Sequence, residues 1–172
     1  MKVRILNSLK SKIAHQLVNW RIRRNFIQLR HKEVNLPTAS TAVKNVLILL
    51  PLNDDFLDPA MTLIRHLRQY FQHWHFMLLD TRKIPAEKLD RFALPNFDFI
   101  QDLNKKNFQL VLDLNFEQDL RIRYLVGSMK IPYRLHLQYS DASIYNMFAQ
   151  ISPENFKNFQ HVFNYLKSSF VV

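Results

Sequence analysis

Two short stretches gather the side chains with the clearest capacity for chemistry. Asn53, Asp54 and Asp55 follow an aliphatic run at residues 46–50, and Asn115, Glu117 and Asp119 follow the run FQLVLDL at residues 108–114. In an open α/β sheet, ligands bind beyond the carboxyl ends of the strands where the topology switches. If the two runs are adjacent strands, these loops face one another at such a place. Their carboxylates then suit a general base or a magnesium site. Asp55 and Glu117 are the catalytic candidates; Asn53, Asp54, Asp55, Asn115 and Glu117 are the candidates for ligand contact. The competing reading is structural: Asp54 and Asp55 form a turn, Asp58 caps one helix, and Glu117 or Asp119 caps another, because acids are favoured at helix starts. Clustered carboxylates also repel phosphate unless a metal intervenes, which weighs against simple nucleotide binding.

Other chemistries find less support. His73-x-His75 sets two imidazoles on one face of a strand, but no third ligand accompanies them and Trp74 and Phe76 flank them, so a surface or structural role is expected and no metal site is assigned. The turn after the first strand reads Pro51-Leu52-Asn53-Asp54-Asp55, without the glycines that let backbone close on a phosphate. Gly127 is the only glycine in the chain. The absence of cysteine excludes disulfides and Cys-ligated zinc, and no G-x-S-x-G elbow marks a hydrolase. No cofactor and no small-molecule ligand is assigned.

The elements that would position these loops alternate along the chain. Residues 46–50 form a continuous aliphatic run of the kind found in a central parallel strand. Asp58-Pro59 opens a helix whose face is Leu63, Ile64, Leu67, Tyr70 and Phe71, and residues 74–79 make a second strand. A short helix after Pro85, a brief strand at 96–100, a strand at 108–114, a helix at 118–129 and a strand at 132–138 follow. That last strand alternates in a way that suits a place near the sheet edge. Residues 141–151 read as helical, and Ser152-Pro153-Glu154 caps a final helix that buries Phe156, Phe159, Val162, Phe163 and Leu166. The alternation predicts a Rossmann-like three-layer α/β sandwich with a mostly parallel sheet of about five strands. Residues 45–172 form that domain, 33–44 a linker, and 1–32 a long basic amphipathic helix that precedes it.

Charge is concentrated in that arm. Residues 1–36 hold nine Lys and Arg against Glu33 alone, so +8 of the chain's net +10 lies there. Leu6, Leu9, Ile13, Leu17 and Trp20 recur at helical spacing and make one apolar face. Lys10, Lys12, Arg21, Arg23, Arg24 and Arg30 are the residues expected to meet an anionic partner. A helix of this kind either packs on the domain with its charges solvated, lies on an anionic membrane surface, or contacts phosphates of an RNA-containing assembly.

The stretches NVLILLPLNDDFLDPAMTLIRHLRQYFQHWHFMLLD and FQLVLDLNFEQDLRIRYLVGSMKIPYRLHL together resemble the N-terminal Rossmann-like half of lipopolysaccharide heptosyltransferases. The likeness rests on the Ile64-Arg65-His66-Leu67 helix pattern, the strand at 109–114 and the P-x-R strand that follows. A second resemblance, in length and layout, is to a family of single-domain bacterial proteins known only as a domain of unknown function; it rests on Phe97-Asp98-Phe99, Asp102-Leu103-Asn104 and the LDLN segment at 112–115. The first resemblance implies a glycosyltransferase-type fold and, at Asp55, a shifted counterpart of the family's catalytic Asp. The second half that binds the sugar nucleotide in those enzymes has no counterpart here.

Together these readings predict a non-catalytic interaction module whose basic helix contacts a membrane surface or an RNA or protein assembly. The alternative is a degenerate or partner-dependent glycosyltransferase-like protein that binds a sugar or nucleotide at the strand ends. No run of about 18 apolar residues and no cleavable leader is visible. The expected location is therefore cytoplasmic, with peripheral attachment at the inner membrane face if the arm binds lipid. Nothing in the sequence demands a homo-oligomer or forbids one.

Overall fold

The computed structural model describes residues 10–20, 23, 43–117, 119–139 and 144–170. Residues 10–20 form helix α1. The order then runs β1 (Asn45–Leu49), α2 (Leu57–Tyr70), β2 (His75–Leu79), α3 (Phe97–Asn104), β3 (Leu110–Asp113), α4 (Leu120–Ser128), β4 (Tyr133–His136), β5 (Met147–Phe148), α5 (Pro153–Phe156) and α6 (Phe159–Phe170). All described strand pairs are parallel, in the order β2-β1-β3-β4-β5.

The sheet is covered on both faces, which is why β1 and β3 are aliphatic at almost every position. Val46, Ile48, Leu110, Leu112 and Leu135 point to one side and pack with Leu63, Ile64 and Leu67 of α2, Phe156 of α5, and Val162 and Leu166 of α6. Leu47, Leu49 and Val111 point to the other and pack with Ile100 and Leu103 of α3, Ile122, Leu125 and Val126 of α4, and Ala14 and Val18 of α1. The result is the Rossmann-like three-layer sandwich with a parallel sheet of five strands.

Several local expectations give way to hydrogen bonding. Residues 96–100 are the start of α3, not a strand: the Asn96 side chain accepts from the Phe99 N–H at 2.9 Å, a helix N-cap, and Ile100 and Leu103 then share one buried face. The described part of 141–151 is not helical. Asn146 accepts from the Arg134 N–H through its side chain at 2.8 Å and donates its own N–H to the Arg134 carbonyl at 3.1 Å. Ala149 and Ile151 donate to the carbonyls of His136 and Leu137. These bonds draw the segment alongside β4 as the fifth strand. The side chain of Asn146 offers the backbone an alternative to helix.

Two helix starts also differ. Asp58 lies in the first turn of α2 without capping it, while Asn53 caps a 3-10 turn at Asp54–Phe56 by accepting from Asp55 N–H at 2.9 Å. The final helix is two: Ser152 caps α5, and Asn158 restarts the chain by accepting from Gln160 N–H at 3.2 Å. Phe156, Val162 and Leu166 are buried and Phe163 is half-buried; the Phe159 side chain lies outside the described residues. Tyr70, assigned to the buried face of α2, is 40% exposed.

Candidate functional site

The strand order reverses direction between β1 and β3, the place where open α/β sheets bind ligands. The loops after these strands meet there. Asn115 joins them: its side chain accepts from Leu52 N–H at 2.7 Å and donates to the Leu50 carbonyl at 3.1 Å and to Asp113 Oδ1 at 2.8 Å. Beside it, the rings of Phe56, Phe116 and Phe156 pack against one another with centroids 5.0 to 5.9 Å apart. What is left is a cavity of about 50 Å³ lined by Pro51, Leu52, Asn53, Phe56, Leu114, Asn115, Phe116 and Glu117. Small-molecule sites are usually about 300–1,000 Å³, so this space suits a water or two rather than a sugar nucleotide.

The candidate residues are distributed unevenly around that cavity. Asn53, Asn115 and Glu117 line it. Asp54 turns away: its carboxylate accepts from Arg82 Nη1 at 2.7 Å. Arg82 also donates to both oxygens of Asp80 at 3.0 Å and to the Leu52 carbonyl at 3.0 Å, so one guanidinium ties the ends of β1 and β2. The side-chain bond to Arg82 holds Asp80 below its ordinary carboxylate range. Asp55 and Glu117 are exposed. Asp119 caps α4 by accepting from Arg121 and Ile122 N–H.

A second polar group lies deeper, on the face covered by α4. Asp113 stands opposite His136 in the β3–β4 register, and Val111 opposite Arg134. Asp113 is 1% exposed, yet it is fully engaged: Oδ1 accepts from the N–H and side-chain amide of Asn115, and Oδ2 accepts from the Tyr145 hydroxyl. The His136 ring lies 4.7 Å from that of Tyr145, and its Nδ1 meets the Gln138 carbonyl at 2.7 Å. Burial pushes the Asp113 carboxyl up, against the opposing pull of His136 and the three donors. Burial, then Asp113, pushes the Tyr145 hydroxyl well above its ordinary value. Arg134 is 3% exposed, burial lowers it to about 10, and its Nε has no hydrogen-bond partner among the described residues.

No family model, curated protein or solved structure matches this chain.

The arm is described in part. Lys10, Lys12 and Arg23 are exposed; Arg21, Arg24 and Arg30 lie outside the described residues. Helix α1 meets the domain through Ala14 and Val18, which are buried, and through Asn19, whose side chain accepts from Arg123 Nη2 at 3.3 Å. Ile13, Leu17 and Trp20 stay 38%, 40% and 58% exposed. Among the described residues, no helix is long and apolar enough to cross a membrane and no three metal-ligating side chains converge. His73 and His75 are both exposed at the start of β2.

Sequence reasoning passed over Asp113, Arg134, His136 and Tyr145. A signal was there: Arg134 and His136 alternate along β4, and Asp113 interrupts the aliphatic run of β3. The alternation fits the place of β4 beside the edge strand β5, and it also marks a buried polar layer.

Proposed function

We propose that the protein is a non-catalytic Rossmann-like module that attaches to an anionic membrane surface through its basic N-terminal helix. The observation that carries this reading is the exposed apolar stripe of α1. Ile13, Leu17 and Trp20 sit at helical spacing, stay 38%, 40% and 58% exposed while Ala14 and Val18 dock, and run beside the exposed Lys10, Lys12 and Arg23. An apolar stripe with cations beside it suits the headgroup boundary, where aliphatic and indole groups enter the acyl region and Lys or Arg meets phosphate. Contact with RNA phosphates draws on the cations alone and leaves the aliphatic stripe without a role. The cavity of about 50 Å³ at the strand ends weighs against the glycosyltransferase-like alternative.

Sedimentation with vesicles tests the reading. The full chain is expected to pellet with mixed phosphatidylglycerol and phosphatidylcholine vesicles and not with phosphatidylcholine alone, and to be released by salt. Trp74 is buried and the only other tryptophan is Trp20, so a blue shift of emission on binding reports the indole of α1. Leu17→Ser with Trp20→Ser is expected to abolish pelleting. Failure to pellet with anionic vesicles sinks the proposal. Binding that survives the double substitution, and that single-stranded RNA displaces, would favour the RNA reading.

A further inference from the structure

The two edges of the sheet are finished differently. At one, β5 is two residues long and the Tyr165 hydroxyl of α6 donates to the Phe148 carbonyl at 2.7 Å. At the other, β2 is the five-residue stretch HFMLL. It holds none of the prolines or lysines that normally blunt an edge. His75 donates its N–H to the Lys44 carbonyl at 2.6 Å, and the Leu79 carbonyl accepts from Leu50 N–H at 3.0 Å. His75, Met77 and Leu79 therefore turn their backbone groups to β1. By the alternation of a strand, Phe76 and Leu78 turn theirs outward, and among the described residues no other element bonds to them. The four residues Phe76 to Leu79 are only half-buried, whereas Val46 to Leu49 of β1 are buried throughout.

We propose that this edge is a homodimer interface, in which β2 pairs antiparallel with β2 of a second copy about a two-fold axis through Met77. The register follows from the bonding pattern. Residues that exchange both hydrogen bonds in an antiparallel ladder sit directly opposite one another. Phe76 therefore faces Leu78 of the second copy and Leu78 faces its Phe76, so all of the outward N–H and carbonyl groups of these residues are satisfied. Met77 meets Met77 in the non-bonded pair, with Cα atoms about 4.5 Å apart. The arrangement is symmetric about its centre, as an isologous contact requires. Charge permits it as well. The chain carries a net +10, but residues 75–79 bear no formal charge at neutral pH, so this edge can approach its own copy without facing a row of cations.

Sedimentation velocity of the full chain over a range of concentrations tests this, together with Met77→Glu, Met77→Lys and their mixture. The wild-type chain is expected at twice the chain mass. Each charged variant places like charges against each other at the axis and is expected as a monomer; the equimolar mixture is expected to restore the dimer, which a folding defect would not do. Leu78→Pro removes an outward N–H and leaves the ladder to β1 intact, as proline on an edge allows, so it too is expected as a folded monomer by circular dichroism. A wild-type chain that stays monomeric at every concentration overturns the proposal. So do charged variants that remain dimeric, or a mixture that stays monomeric.

Discussion

The acids in the loops after β1 and β3, and the acid at the end of β3 itself, live in opposite physical regimes. Asp55 and Glu117 stand in solvent, and Asp54 is held at the surface by Arg82. Asp113 is buried, meets three donors and reaches, through Asn115, the loop after β1. The loop acids are the more conspicuous in sequence, because they cluster and follow strands. The buried one is the more constrained in structure, because a carboxylate removed from water is tolerated only when its oxygens are bonded. Clustering of acids in a loop thus says little about which of them the fold is built around.

The contrast is broken most directly at Asp113. Asp113→Ala leaves the Tyr145 hydroxyl and the Asn115 amide without their acceptor in the interior, and is expected to cost about 3 kcal/mol in urea denaturation. Asp113→Asn keeps an acceptor for Asn115 and a polar partner for Tyr145, and is expected to cost far less. The pH dependence has a definite sign. Because burial raises the folded value above the unfolded one, ionised Asp113 disfavours the fold. Wild type should therefore lose ground against Asp113→Asn as pH rises from the ordinary carboxylate range through the raised value, and recover it below. A wild type that loses ground against Asp113→Asn on acidification would contradict this account.

A smaller effect is expected at Arg82. Its removal leaves Asp80, whose side chain is 7% exposed, without its main partner, and Arg82→Ala is expected to lower the urea midpoint by less than Asp113→Ala does. Asp80 titrates with the opposite sign to Asp113. Its folded value lies below the ordinary one, so its contribution is present above the ordinary carboxylate range and fades as pH falls through the folded value. Acid titration of wild type and Arg82→Ala should show their difference shrinking at low pH. The smallest effect belongs to the loop acids. Asp55→Asn with Glu117→Gln is expected to change stability by about 0.5 kcal/mol or less and to leave vesicle binding unchanged. A loss of binding in that double variant would shift attention from the arm to the strand ends.

How much of this the sequence disclosed depended on whether neighbours in the chain or in space decide the outcome. The aliphatic runs of β1 and β3 announce central strands because both faces of each are covered by helices. The face of α2 is equally plain at Leu63, Ile64 and Leu67. Residues 96–100 alternate apolar and polar like a strand, and only the side chain of Asn96 marks the helix. β5 exists because Asn146 pairs with Arg134, a contact between residues no local pattern connects. The buried polar layer left only the interruptions at Asp113, Arg134 and His136 as its trace, for the same reason: Asp113, His136 and Tyr145 come from three segments that only the fold brings together.

That register has a consequence for how the chain reaches its native state. Every described pair is parallel, so the sheet contains no hairpin from which to start. Asn45 must find His75, and Val46 must find Leu110, before the centre of the sheet exists. Distant pairings of this sort are slow, because loop closure must precede any reward from contact. During synthesis β1 and β2 have emerged long before β3, the strand that will lie between β1 and β4. For that interval the aliphatic run at the start of the domain has one flank unfilled. Only when β3 fills that flank do Val46 to Leu49 reach the full burial they have in the folded sheet.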